Sequence, residues 1–302
     1  MIPNTNDGSR HPPALKVYLN LGTLGDLRPG TRWPGLEGRA MLDQLARDGF
    51  EGIQLLSGVA TAIPDSPIGV CAADRINTSA EAHDIAAKYA DKGFDCLTIH
   101  AGWGIEDDAD VFRLVEAILS ASQKIRLPIY IETHRATITQ DIWRTVQIIK
   151  RFPEVRFNGD FSHYYTGQEL VYGGMEMKYA FMTPIFERVR FMHARIGSPG
   201  CIQVAIGNGE DRPAQAHGPV NFLADHKEIW TRAMVGFLRT ARPGDYLIFC
   251  PELLSGEYYY ARKFPNAHGE LEEESDRYQQ ALLYNKIARE CFAEAQQRLA
   301  AP

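Results

Sequence analysis

The chain has 302 residues, 45% of them apolar and 23% charged, and a formal net charge of −6. That composition supports a large buried core and excludes disordered, collagenous and coiled-coil chains. The acidic balance argues against nucleic acid as a partner. No apolar run approaches the roughly 20 residues of a membrane span, which argues against a membrane.

Residues 1–13 are polar and Pro-containing, with no apolar stretch of the signal-peptide kind. The five cysteines, Cys71, Cys96, Cys201, Cys250 and Cys291, are scattered and never in C-x-x-C spacing. They read as reduced thiols of a cytoplasmic protein rather than a zinc ribbon or disulfide framework.

In chain order, β-rich runs fall at 16–21, 52–56, 68–72, 96–100, 128–132, 156–161, 190–195 and 246–251. Helical periodicity fills 38–48, 79–92, 107–124, 139–151, 175–188 and 221–240, and a last helix spans 271–299. Ser79 and Thr139 are placed to cap helices, and Gly49 and Gly93 stand just past helix ends. The junction D-G-F-E-G-I-Q-L returns as D-K-G-F-D-C-L-T-I, as a β–α array requires.

Eight such units predict a single-domain α/β fold, a (β/α)8 TIM barrel over 16–302 preceded by a polar arm, 1–15. The alternative is an open doubly wound sheet, but Gly22 and Gly25 lack the G-x-G-x-x-G spacing. Two irregularities stand out. Segment 57–67 contains Pro64 and Pro67 and has room for a turn or two of helix. Segment 196–220 has five glycines and three prolines and no helical period, which suggests a lid over the active-site face.

Active-site residues of such barrels sit at the C-terminal strand ends. Strand five ends I-Y-I-E-T-H-R, giving Glu132. Strand six ends N-G-D-F-S-H, giving Asp160 and His163. Strand seven ends F-M-H-A-R-I-G, giving His193 and Arg195, and strand eight ends F-C-P-E-L-L, giving Glu252. Converging carboxylates repel one another unless a cation joins them. Hard oxygens with one imidazole suit Mn²⁺, Mg²⁺, Co²⁺ or Zn²⁺. His100 and Trp103 end strand four, and His134 and Arg135 follow Glu132. Those four, with His163 and Arg195, are the candidate substrate contacts. The cations equally suit a role in neutralising the acids. Gln203 and Asn208 are polar candidates in the long segment, and the tyrosines of 257–262 read as pocket mouth or interface.

This pattern resembles the sugar phosphate isomerase/epimerase family with the xylose isomerase-like TIM barrel, over nearly the whole chain. The resemblance implies one divalent metal, manganese first, held by Glu132, Asp160, His193 and Glu252. It also implies that Glu132 and Glu252 act as the acid/base pair and that His163 contacts substrate. The chain departs from the epimerases in having E-T-H-R after strand five and an Arg only two residues past the strand-seven His. The expected function is a metal-dependent sugar isomerase or epimerase working through an ene-diolate on a small-molecule substrate, as a homo-oligomer or with a partner subunit. The alternatives are a lyase or dehydratase on oxo-sugars or 3-oxo-glycosides, an endonuclease IV-like enzyme that would recruit His100, His217 and His226 for further metals, and a metal-keeping subunit without activity.

Overall fold

In a computed structural model, which describes residues 4–209 and 221–301, eight parallel strands close into a barrel in sequence order, each neighbour paired with the next and β8 with β1. The strands are β1 (Ala14–Asn20), β2 (Gly52–Gln54), β3 (Gly69–Ile76), β4 (Leu97–Ala101), β5 (Ile129–Glu132), β6 (Phe157–Asn158), β7 (Val189–Ala194) and β8 (Tyr246–Pro251). Helices α1 (Gly38–Arg47), α2 (Ala82–Ala87), α3 (Asp108–Ile125), α4 (Ile142–Arg151), α5 (Phe161–Gly167), α6 (Met175–Phe186), α7 (Phe222–Thr240) and α8 (Arg277–Ala300) surround it. The expected TIM barrel is the observed one.

Two apolar layers hold it. The large one lies between strands and helices and includes Leu19, Ile53, Ile99, Ile118, Trp230 and Phe249. The smaller one fills the barrel itself with Tyr18, Cys71, Cys96, Tyr130, Phe191, Tyr246, Ile248 and Cys250. No helix among the described residues is long and apolar enough to cross a membrane.

The departures from expectation are local. Strand six is only Phe157–Asn158. Asp160, expected inside it, instead caps α5, its carboxylate accepting the Ser162 N–H at 3.1 Å. Helix α4 is capped by Asp141, which accepts the Arg144 N–H. The expected cap Thr139 turns its hydroxyl back to the Glu132 carbonyl at 2.5 Å and braces the end of β5. Residues 271–273, expected in the last helix, form an antiparallel hairpin of β9 (Lys263–Pro265) and β10 (Leu271–Glu273). Between β2 and β3, where the sequence left room for a turn or two of helix, no helix forms.

The long segment after β7 is not a lid in its described part. Ile196 and Ile206 are buried, and their N–H groups donate to Tyr284 Oη and Gln280 Oε1 of α8. None of residues 196–209 lines the main cavity. Residues 210–220, the rest of that expectation, and His217 with them, lie outside the described residues.

Candidate metal centre

The site is built by the ends of β5, β7 and β8 and by the turn after β6. Glu132, Asp160, His193 and Glu252 each bring one donor atom within 4.8 Å of the others. Asp160 is fully buried, Glu132 and His193 are 2% exposed, and the Glu252 side chain is 14% exposed. Glu132, His193 and Glu252 line a cavity of about 470 Å³ whose wall also includes His100, His134 and His163, while Asp160 is not part of that wall.

A chain of hydrogen bonds fixes which face of His193 points inward. The Gly22 N–H donates to Asn20 Oδ1 at 2.8 Å, so the Asn20 amide must point its nitrogen at Gln54 Oε1, 2.7 Å away. Gln54 Nε2 donates to Thr98 Oγ1 at 2.9 Å, and Gln54 Oε1 stands 2.6 Å from His193 Nε2. A carbonyl oxygen can only accept, so Nε2 carries hydrogen and Nδ1 is the inward donor atom. Nδ1 lies 3.1 Å from Glu132 Oε2 and 3.5 Å from Glu252 Oε2. Asn158 takes the His193 N–H on its oxygen and points its nitrogen at Glu132 Oε2, 3.0 Å away.

Such second partners orient metal-ligating imidazoles and carboxylates. Sequence reasoning missed Asn20, Gln54 and Asn158. Their signal was available: each is a polar residue closing an otherwise apolar strand, and all three are at least 95% buried.

The charges are unevenly balanced. Burial alone pushes His193 down, but Glu252 and Glu132 outweigh it and raise it to about 9. Glu132 resists burial and is held well below its ordinary value by His100, whose Nε2 is 3.1 Å from Oε1, and by His193. Glu252 is pushed up, by burial first. Arg195, 1% exposed, bridges Asp160 Oδ2 at 2.5 Å and Glu252 Oε2 at 3.2 Å, with the Tyr260 ring 4.5 Å away. This arginine pairs with two of the acids and also lines the cavity.

Three imidazoles stack beside the cluster. His100 and His134 have ring centroids 4.4 Å apart, His134 and His163 3.8 Å. Burial and the neighbouring His163 and His100 push His134 down to about 2. His163, pushed well down by burial and Arg195, keeps Nδ1 buried with no hydrogen-bond partner.

The donor set fits a divalent ion. One imidazole nitrogen, Nδ1 of His193, and three carboxylates converge, and each carboxylate oxygen can accept more than one partner. The outer candidates fall elsewhere. Trp103 is 56% exposed and does not line the cavity; it stacks on Arg75, 4.3 Å away. Positive-φ Gly102 and Gly104 turn it outward. Arg135 is exposed and also off the wall. Gln203 clasps the Leu254 backbone through its N–H and carbonyl. His226 is buried away from the cluster, its Nδ1 2.8 Å from the Phe222 carbonyl. Tyr258 and Tyr260 line the cavity, so that run belongs at least in part to the pocket mouth.

No family model and no curated protein matches this chain. Among solved structures, the probable 3-DHS dehydratase AsbF of Bacillus anthracis, involved in petrobactin synthesis, superposes with a TM-score of 0.54 at 13% identity, over 91% of this chain and 99% of that one. A xylose isomerase-like TIM barrel protein from Mycobacterium smegmatis, in complex with magnesium, superposes with a TM-score of 0.50 at 12% identity, over 94% and 99%. The fold shared with these structures is the closed eight-stranded TIM barrel. At these identities the likeness is one of fold.

Proposed function

We propose that this chain is a metal-dependent enzyme that moves a proton next to the carbonyl of a sugar or sugar derivative, an isomerase or epimerase. The observation that carries this reading is the convergence of Glu132, Asp160, His193 and Glu252, three of which line the cavity. Those four would hold one Mn²⁺, or Mg²⁺, Co²⁺ or Zn²⁺ in its place. Bound there, the ion supplies positive charge that polarises a hydroxy-carbonyl group and stabilises an ene-diolate.

The protein's own groups then move the proton. Glu132 and Glu252 come from β5 and from the residue after β8 and flank His193 Nδ1. Glu132 is clamped by His100, Asn158 and His193, which suits an ionised base in fixed orientation. Glu252 is the more open to the cavity and suits proton return. The neutral rings of His134 and His163 are placed to hydrogen-bond substrate hydroxyls. The five unpaired cysteines fit a cytoplasmic protein.

An elimination is the second reading, favoured by the unpartnered His163 Nδ1, which has a position free to hydrogen-bond a departing group protonated by Glu252. The test is solvent deuterium exchange at the substrate C–H with manganese-loaded protein. Glu132→Gln and Glu252→Gln should each lower turnover by about 10²–10⁴-fold with metal retained. Near-normal turnover in both, with metal bound, would sink the two-carboxylate mechanism.

A further inference from the structure

The cavity has a second kind of wall. Opposite in character to its charged floor, the mouth carries Leu56, Val59, Leu254 and Tyr258. Leu56 is 44% exposed, Val59 38% and Tyr258 54%. Leu56 and Leu254 close in together over Gly22. A Cβ there would stand 2.7 Å from Leu254 Cδ2 and in ordinary contact with Leu56 Cδ2 at 3.6 Å, so both leucines come together beside Gly22. Singly exposed apolar residues need no explanation, but a contiguous group lining a ligand cavity marks a contact surface.

The same wall is poor in free positive charge. Among the described residues, Arg195 is its one Lys or Arg, and Asp160 and Glu252 already engage it. Asp74 adds a carboxylate to the wall, held by the Tyr89 hydroxyl at 2.7 Å. The nearby Arg75 is turned away, its Nε donating to Asn77 at 2.6 Å and a terminal nitrogen to the Gly102 carbonyl at 2.6 Å. A phosphate or carboxylate on the substrate would meet this wall with no uncommitted cation to receive it, at the cost of desolvation and repulsion.

From this geometry we infer that the site takes an uncharged polyhydroxy compound carrying an apolar substituent, its hydroxyl-bearing end toward the metal cluster and its substituent against Leu56, Val59, Leu254 and Tyr258. The inference rests on the metal-site reading for the polar end only. A cavity of about 470 Å³ lies within the roughly 300–1,000 Å³ of sites for drug-sized ligands, which leaves room for such a substituent beside a single sugar ring.

The experiment measures binding to manganese-loaded full-length protein by calorimetry, with methyl β-D-glucopyranoside, phenyl β-D-glucopyranoside and glucose 6-phosphate as probes. The phenyl compound should bind about tenfold or more tightly than the methyl compound, a ring's worth of apolar burial, and the phosphate no more tightly than the methyl compound. Leu56→Asp and Val59→Asp lie at exposed positions and leave the core intact. Each should abolish the phenyl preference and leave methyl binding within about twofold. Equal phenyl and methyl binding, tighter binding of the phosphate, a phenyl preference that survives both variants, or no binding of any probe overturns the inference. Manganese binding is followed separately by electron paramagnetic resonance in wild type and His193→Ala. Loss of the phenyl preference with manganese bound at the four residues breaks this inference alone. A phenyl preference without manganese bound there breaks the metal reading alone.

Discussion

The two ends of the barrel are built from similar residues to opposite purpose. At the N-terminal end, the hydroxyls of Tyr18 and Tyr246 both donate to Asp95 at 2.8 Å, and the Tyr130 hydroxyl accepts the Thr5 N–H at 2.9 Å. The Thr5 hydroxyl in turn bonds the Tyr246 carbonyl at 2.5 Å, so the arm before β1 closes that end. Here one acid serves two neutral donors. At the C-terminal end three carboxylates crowd around His193, one arginine bridges two of them, and His163 Nδ1 has no partner. The first arrangement is satisfied by the protein alone. The second crowds acids together and leaves a buried nitrogen without a partner, the character expected at the C-terminal strand ends, where such barrels place their chemistry.

The sharpest way to break this contrast is to remove the cation that the protein supplies for itself. Arg195→Met leaves Asp160 fully buried without its counter-charge, and breaking a buried pair in this way costs about 3–5 kcal/mol. Denaturation in chelator should show that loss, and manganese should recover most of it. An equal loss with and without metal would mean that the four donors do not share an ion. At the opposite end, Asp95→Ala removes the acceptor of two hydroxyls and should cost about 2–4 kcal/mol, from roughly 1.5–3 kcal/mol per charged hydrogen bond with some solvent compensation. Metal affinity should stay within twofold or so. Coupling of that change to the metal site would show that the two ends are not independent.

A smaller effect tests the orientation of His193. Gln54→Leu keeps the side chain's bulk and deletes the acceptor that fixes Nε2–H, so metal affinity should fall about 10–100-fold with the fold retained. An unchanged affinity would mean that the Asn20–Gln54–Thr98 chain does not position the ligand.

How much of this was legible in the sequence follows from where the signals were local. The barrel and its four donors were readable because each unit repeats helix, turn and strand, and because Glu132, Asp160, His193 and Glu252 stand at equivalent strand ends. Helix α5 was hidden because F-S-H-Y-Y is apolar enough to extend a strand, and only the Asp160 cap, a side-chain contact, ends β6 after Asn158. Strand β10 was read as the start of the last helix because Leu271–Glu273 opens a charged run continuous in composition with α8. Trp103 was sent to the pocket by its nearness to β4. The positive φ of Gly102 and Gly104 reverses that, with Glu106 holding the N–H groups of Trp103 and Gly104 at 2.6 and 2.8 Å. Asn20, Gln54 and Asn158 each close a strand in the sequence, but the hydrogen bonds that tie them to His193 appear only in the folded chain.

The last effect is the finest and comes from the proton that a metal must displace. His193 rises from 6.5 to about 9 in the metal-free protein: burial lowers it, and Glu252 and Glu132 more than compensate. Because the folded value lies above the unfolded one, the imidazolium's contribution to stability is fully present below about pH 6.5 and is lost as pH rises through about 9. Metal needs Nδ1 bare, so at pH 7 binding must expel that proton. Affinity should therefore climb about tenfold per pH unit toward pH 9 and then level off. Calorimetry at pH 7 in two buffers of different ionisation enthalpy should count about one proton released per ion bound. At the N-terminal end burial and Asp95 raise Tyr18 and Tyr246, so both remain phenols through this range and that end should show no such dependence. A flat affinity between pH 6 and 9 would mean that the ion does not displace a proton from His193, and that the cluster holds its charge by Arg195 and His193 instead of by metal.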